Sequence, residues 1–501
     1  MGLKLEDCVL YAVTDTSWLR GQTLVQQVEA ALRGGVTMVQ LREKELRGEA
    51  LEQEAREILA VCRQYGVPLL INDDVMLAKK IGAEGVHVGQ SDMAASQARE
   101  ILGPDAIIGV TARTIEQAQA AEKAGADYLG SGAVFGTSTK KDAKPMDPAY
   151  FQQICESVSI PVVAIGGITA DNIRQLEGRK MTGFAIVSGI FAADDIEAQT
   201  KKLWKTAQDL CLLGQPERLR GRIEKCRPVV QCITNIVTVN DCANALLAIG
   251  GSPTMAHHPE EMADFAAVSD ALVCNMGATE SLDAMMTAGL ASCIRGEGKA
   301  ENTGKSPETG RAEKADNIGK TPETGRAGKA GRPIVIDPVG CASSSFRRGK
   351  CLELIKAVQP SCIRGNAAEI RALATDHDTG RGVDDLEAET PDAARSAMDL
   401  ARKTGAIVIA SGETDYVADR TRLYEVKGGT AWMSRVTGTG CMLSSLLGAF
   451  LAVENSALSA AACCAMMNAC AEKALGETVR RRGGTGTFHI CLMDALSGSI
   501  D

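Results

Sequence analysis

Polar residues gather at the ends of short apolar runs in the first two hundred residues of this 501-residue chain. One run ends in Gln40, Arg42 and Lys44 (QLREK) and the next in Asn72, Asp73 and Asp74 (INDD). Others end in Gln90 and Asp92 (HVGQSD), in Thr111 (GVT), and in Thr137, Ser138, Thr139 and Lys140 (GTSTK). Two more end in glycine-rich backbone, Gly166-Gly167 and Val187-Ser188-Gly189. Carboxylates on neighbouring strand ends suit a hard cation such as Mg²⁺, which takes one or two carboxylates and completes its shell with water and phosphate oxygens. Arg and Lys beside them, with two glycine-rich turns, make two separate anion sites. The chemistry implied is the meeting of two phosphorylated ligands and a metal. Each piece alone has a plainer reading: Asp73 or Asp74 as a helix cap, His87 as a satisfied barrel residue, Lys141 as a solvated charge. The convergence of seven polar strand ends is what carries the functional reading.

A second constellation lies beyond residue 225. In RVTGTGCMLSSLLGAFLA (435–452) a TGTG turn runs straight into a long apolar helix. That aims the amides of Gly438, Thr439, Gly440 and Cys441 at the helix N-terminus, an anion hole suited to a transferring phosphoryl group. No G-x-x-x-x-G-K-[ST] loop occurs in the chain. IRGNAAEI (363–370) puts Asn366 and Glu369 three apart on one helical face, a spacing that suits hydrated Mg²⁺. Asp337 and Ser411 end strand-like runs, where open α/β sheets bind ligands.

The elements that must position these residues follow from the pattern around them. Eight apolar, β-branched runs alternate with Ala/Glu/Gln-rich helical stretches: CVLYAVTD, MVQLREK, PLLIND, GVHVGQ, IIGVTA, YLGSGAV, PVVAIGGI and GFAIVSGI. Continuous apolar strands joined by helices imply a parallel sheet covered on both faces, and eight of them imply a closed (β/α)8 TIM barrel. We expect that barrel over 1–212, a polar linker over 213–225 (GQPERLRGR at its heart), and a second α/β unit over 226–501. The second unit has strands at RPVVQCITN, RPIVIDPVG and GAIVIASGE and one long Ala-rich helical tail from Gly440 to Leu475. Inside it, 295–332 is low in complexity, with eight glycines, one large apolar residue and a repeated GK[ST]PETGRA. Such a segment cannot bury enough surface to offset its ordering entropy, so a surface insertion is expected.

Composition narrows the classes. A net charge of −9 with 3% aromatic residues disfavours nucleic-acid binding. No apolar run reaches membrane-spanning length. Seventeen cysteines without a C-x-x-C pair, most of them in apolar runs, read as buried thiols in a reducing, cytoplasmic setting.

The order QLREK, NDD, HVGQ.D, GVT, GTSTK, AIGGI, IVSGI resembles thiamine phosphate synthase over 8–205. The resemblance implies coupling of hydroxymethylpyrimidine diphosphate to thiazole phosphate. It assigns Gln40, Arg42, Lys44, Asn72, Thr111 and Lys140 to the pyrimidine diphosphate, with Arg42 and Lys140 neutralising the leaving group. Thr137, Ser138, Thr139, Gly167, Val187 and Ser188 go to the thiazole phosphate, and Asp73 and Asp92 to Mg²⁺. Thr111 stands where many relatives have serine, and the hydroxyl is kept.

In the second unit QCITN, GGSPTMAH, IDPVG, RGNAAE, SGETDYV and VTGTGC resemble hydroxyethylthiazole kinase, of the ribokinase-like superfamily, whose central sheet is mostly parallel. The resemblance covers 228–294 and 333–495. It implies that Arg364 and Ser411 contact ATP, Met255 and Gly438 the thiazole alcohol, and Glu369 the metal. Cys441 stands where the superfamily has an aspartate base; at a helix N-terminus its thiol is expected to be acidified. The alternatives are a thiazole tautomerase-like barrel fused to an active kinase, or a non-catalytic thiazole- or thiamine-binding protein. The partners implied are small molecules, with no nucleic acid or membrane, in a homo-oligomer built through kinase-unit trimers.

Overall fold

The computed structural model describes residues 2–136, 145–294, 331–375 and 391–498. Eight strands close into a parallel barrel in chain order: β1 (Leu10–Val13), β2 (Met38–Leu41), β3 (Leu69–Asn72), β4 (Gly85–Val88), β5 (Ile107–Thr111), β6 (Tyr128–Gly132), β7 (Val162–Ile165) and β8 (Gly183–Ile186). Closure is made by β1, which pairs with β2 on one side and β8 on the other. Each strand falls in one of the eight apolar runs, so the expected barrel is present. Side chains alternate across a strand. Tyr11, Val13, Met38, Leu70, Ile107, Tyr128, Val163 and Ala185 form a cluster inside the barrel. Leu10, Ala12, Val39, Leu41, Leu69 and Ile71 join the core under the helices. The same parity turns Gln40, Asn72, His87 and Thr111 inward, towards the C-terminal mouth.

The second sheet contains β9 (Val229–Ile233), β10 (Ser252–Thr254), β11 (Ala271–Asn275), β12 (Ile334–Asp337), β13 (Cys362–Asn366), β14 (Ile407–Ser411), β15 (Thr414–Ala418) and β16 (Leu423–Lys427). Their order is β10-β9-β11-β12-β13-β14-β15-β16. The first six are parallel, and β15 and β16 add an antiparallel edge. This is the mostly parallel sheet expected.

Three segments differ from expectation. The polar segment 213–225 is not an extended linker but part of a 31-residue helix, Ile196–Cys226. Leu203, Ala207, Cys211, Gln215, Leu219 and Ile223 recur every four residues and are buried, and that stripe runs through the breaker Pro216. The helical tail is two helices, Thr439–Val453 and Ala457–Arg480. They part where Ser456 accepts the Ser459 amide (3.1 Å) and caps the second. Of the insertion, 295–330 lies outside the described residues, but Arg332 is no part of a loose loop. It is 8% exposed and donates to Ser292 Oγ (2.6 Å) and the Ala288 carbonyl (3.2 Å), which anchors the start of β12.

The barrel and the second sheet meet base to base. Glu6 and Asp7, just ahead of β1, each lie 3.5 Å from the guanidinium of Arg422, in the turn between β15 and β16. Glu6 also accepts the Ala457 amide (2.8 Å). A cleft of about 580 Å³ between the units is lined by Gly66–Pro68 and Glu84, which precede β3 and β4, and by Gln359–Ser361, which precede β13. Trp204 of the connecting helix packs edge-on against Tyr424 (6.3 Å between ring centroids). Contacts therefore fall on the N-terminal ends of both sets of parallel strands. Both C-terminal ends, where ligands bind such sheets, face away from the junction.

Candidate active sites

At the barrel mouth the residues form two charge clusters. Lys44 Nζ lies 2.7 Å and Arg42 Nη1 3.7 Å from Oδ2 of Asp15, which follows β1. Burial works against the Asp15 charge, yet hydrogen bonds from Lys44 and Ser17 outweigh it and hold the carboxyl below its usual range. Asp15 was not singled out from the sequence. The signal was available, because YAVTD is a strand end like the others. It parks both cations on one counter-ion beside the mouth.

Asp73 and Asp92 are exposed on the loops after β3 and β4. Asp73 sits at φ +63, its amide donating to the His87 carbonyl (2.9 Å) and its carboxylate accepting from Asn72 Nδ2 (2.5 Å). Asp92 accepts the Gly89 amide (2.7 Å). Asp74 has the plainer role, capping the next helix through the Leu77 amide (2.8 Å). Gln40 and Thr111 are brought into the same mouth on β2 and β5, with Gln90 Nε2 donating to the Thr111 carbonyl (2.5 Å). Gly167, at φ +69, lets its turn press on the loop after β6: a Cβ there would stand 2.3 Å from the Gly136 carbonyl. Val187 and Ser188 open the short helix after β8. Thr137, Ser138, Thr139 and Lys140 lie outside the described residues.

In the second unit the TGTG turn is drawn tightly against its neighbours. Gly438 caps the helix at φ +85, and the first helical bond runs from the Met442 amide to the Gly438 carbonyl (2.8 Å). The amides of Thr439, Gly440 and Cys441 lie ahead of that bond and have no partner within the helix. A Cβ on Gly440 would meet Arg364 Nη1 at 2.6 Å, and Arg364 Nε donates to Ser411 Oγ (3.0 Å). Arg364, Ser411 and the turn are therefore brought together. Met255 follows β10 on the far flank of the sheet.

Cys441 belongs to a buried network. Asn275 Nδ2 lies 3.1 Å from its sulfur and 3.0 Å from Asp337 Oδ2, which also accepts from Ser444 (2.9 Å). Asp337 is 1% exposed, and burial pushes its carboxyl up to about 6 despite the opposing charge of Arg364. Its other oxygen, Oδ1, is buried with no hydrogen-bond partner among the described residues. The acidified thiol expected from the helix N-terminus is not what this environment gives. Burial, then the nearby Asp337 carboxylate, push the Cys441 thiol up, and hydrogen bonds from Thr238, Asn275 and Asn235 offset this only in part. Neither Asn275 nor Asn235 was found from the sequence, because asparagines on separate strand ends carry no spacing signal.

Asn366 and Glu369 have a local explanation. The Glu369 amide donates to Asn366 Oδ1 and the Asn366 amide to Glu369 Oε2 (2.9 Å each), a reciprocal capping box. Oε1 of Glu369 accepts the Gly340 amide (2.8 Å). Both carboxylate oxygens are thus already engaged.

Residues 10–190 match the family model for thiamine monophosphate synthase, and residues 221–293 and 319–500 that for the hydroxyethylthiazole kinase family. A probable thiamine biosynthetic bifunctional enzyme of Schizosaccharomyces pombe is 31% identical across 99% of this chain and 97% of its own length. A thiamine biosynthetic bifunctional enzyme of Saccharomyces cerevisiae is 31% identical across 98% of this chain and 95% of its own. A thiamine-phosphate synthase of Ruminiclostridium cellulolyticum is 47% identical across 39% of this chain and 94% of its own. The barrel with its charged mouth and the sheet with its TGTG turn therefore place this chain in the family of bifunctional thiamine biosynthetic enzymes, with a thiamine-phosphate synthase domain followed by a hydroxyethylthiazole kinase domain.

Proposed function

We propose that the kinase domain phosphorylates 4-methyl-5-(2-hydroxyethyl)thiazole with ATP, and that the barrel joins the product to 4-amino-2-methyl-5-hydroxymethylpyrimidine diphosphate, giving thiamine phosphate and diphosphate. The observation that carries this reading is the match of one chain to both family models, supported by cationic side chains at the barrel mouth and by the TGTG turn against Arg364. At the mouth, Gln40, Arg42, Lys44, Asn72 and Thr111 take the pyrimidine diphosphate, and Lys140, outside the described residues, is assigned to the same ligand. Thr137, Ser138, Thr139, Gly167, Val187 and Ser188 take the thiazole phosphate. The exposed pair Asp73 and Asp92, on adjacent loops, fits a hydrated Mg²⁺, which would supply charge neutralisation at the diphosphate. Arg42 and Lys44, which share Asp15 as their counter-ion, would add positive charge at the diphosphate. The C–O bond to diphosphate breaks and a C–N bond to the thiazole nitrogen forms. Positioning and electrostatics suffice, and no protein base is required.

In the kinase domain Met255 and Gly438 hold the thiazole alcohol, Arg364 and Ser411 hold ATP, and the amides of Thr439, Gly440 and Cys441 face the transferring phosphoryl group. For Mg²⁺ the fit is uneven. The unpartnered Oδ1 of Asp337 is an acceptor available to the cation. Glu369, bonded to two amides, suits a place behind the cation's water shell rather than direct ligation. Cys441, with its thiol pushed up, is a shaped contact rather than a ready thiolate.

We also infer a homo-oligomer formed through the kinase domain, supported by Ile236 and Val237, which are 85% and 67% exposed beside Asn235. A cytoplasmic setting is supported by the free thiols among the described residues. Among those residues no helix is long and apolar enough to cross a membrane. The test is formation of thiamine phosphate from the thiazole alcohol, ATP and the pyrimidine diphosphate. Omitting ATP should stop it, and supplying thiazole phosphate should restore it; no ATP-dependent product would refute the reading.

A further inference from the structure

Inside the barrel a chain of side-chain hydrogen bonds crosses from β2 to β5. Gln40 Nε2 donates to Tyr11 Oη (2.5 Å), Tyr11 Oη meets Tyr128 Oη (2.9 Å), Tyr128 Oη meets His87 Nδ1 (2.8 Å), and His87 Nε2 meets Thr111 Oγ1 (3.0 Å). Tyr11, Tyr128, Gln40 and His87 are 2%, 0%, 4% and 8% exposed. Room for the chain is reserved in the backbone. A Cβ on Gly109 would stand 2.2 Å from the Tyr128 ring, and one on Gly130 3.0 Å from His87 Cε1. Four buried polar side chains in a barrel interior are costly unless fully paired, and a paired network holds its members in one arrangement.

The donor at one end fixes the direction of the rest. An amide N–H can only donate, so the arrangement that pairs every group has Tyr11 donating to Tyr128 and Tyr128 donating to Nδ1 of His87. The imidazole proton then sits on Nε2 and is donated to Thr111 Oγ1. Two groups at the mouth are thereby set. Gln40 keeps its carbonyl oxygen, an acceptor, and Thr111 keeps its hydroxyl proton, a donor.

We propose that Tyr11, Tyr128 and His87 are positioning residues that set the hydrogen-bond polarity of the synthase mouth: Gln40 presents an acceptor to an exocyclic amine on the pyrimidine, and Thr111 presents a donor to a phosphate oxygen. This rests on the reading that the mouth takes a pyrimidine diphosphate. None of the three touches the reacting atoms. They act through Gln40 and Thr111.

The experiment uses the full-length chain and steady-state coupling with thiazole phosphate supplied. Tyr128→Phe keeps the ring and removes the link. It should raise KM for the pyrimidine diphosphate about tenfold, the loss of roughly one well-placed hydrogen bond. KM for thiazole phosphate should stay within about twofold, on the same scale. Tyr11→Phe should shift the same constant in the same direction, and carries the test should Tyr128→Phe fail to fold. His87→Gln, which restores an N–H towards Thr111, should recover much of what His87→Leu loses. A role confined to barrel stability would lower the melting temperature while leaving both KM values of the folded variants unchanged, and that result would overturn the proposal. An equal loss for both substrates would overturn it too. Failure of the wild-type chain to couple the two substrates would instead reject the underlying reading of the mouth.

Discussion

At the barrel mouth, Asp73 and Asp92 stand exposed and Arg42 and Lys44 share one counter-ion; at the kinase sheet edge, Asp337 is 1% exposed and tied through Asn275 to Cys441. The first site holds its charge on side chains, two cations of which share one buried carboxylate. The second holds it on backbone amides and a buried network. A diphosphate that must leave needs charges that can follow it, whereas a phosphoryl group in transfer needs donors that do not reorganise. The two domains share a junction but not a site, because they join at the ends of the strands opposite to both constellations.

The largest effect should come from the junction itself. Arg422→Met removes the guanidinium that faces buried Glu6 and Asp7 and leaves only Lys4, 3.8 Å from Glu6, a change typically worth about 3–5 kcal/mol. Denaturant unfolding should show that loss, with both activities falling together; loss of one activity alone would mean that the domains unfold independently. Next, Gly440→Val drives a side chain into Arg364 and should lower kinase turnover by about 10²–10³-fold, the scale of losing a preorganised anion donor. Coupling from supplied thiazole phosphate should survive. Cys441→Ser should cost the kinase less than about tenfold, because the thiol is held protonated; a fall on the scale of general base catalysis, about 10²–10⁴-fold, would restore the base role.

The smallest effect is a pH trend. Burial, opposed by Arg422, raises the Glu6 carboxyl to about 7. A carboxyl whose pKa is higher folded than unfolded binds its proton preferentially in the folded state. Its contribution therefore favours folding more as pH falls from about 7 towards the ordinary glutamate value of 4.5, and is lost as pH rises through 7. Glu6→Gln should flatten that part of the stability–pH curve; an unchanged slope would remove Glu6 as its source.

The barrel was legible because continuous apolar runs and their eightfold repetition are properties of local sequence, and its mouth residues sit at fixed offsets from each strand. Asp15 was missed although it obeys the same rule. The kinase site was harder. Its TGTG turn is local and was readable, but the Cys441–Asn275–Asp337–Ser444 network joins one helix and two strands that only the sheet order brings together. Asn366 and Glu369 were read as metal-facing when their spacing is also that of a capping box. The helix through 213–225 was hidden by its exposed polar face and by Pro216.

The separation of the two sites is tested most directly by one substitution and two assays on the same protein. Asp73→Ala, given the thiazole alcohol, ATP and the pyrimidine diphosphate, should accumulate thiazole phosphate in solution at the wild-type rate and form almost no thiamine phosphate. Loss of ATP-dependent phosphorylation in a folded Asp73→Ala chain would contradict the assignment of the two activities to two sites.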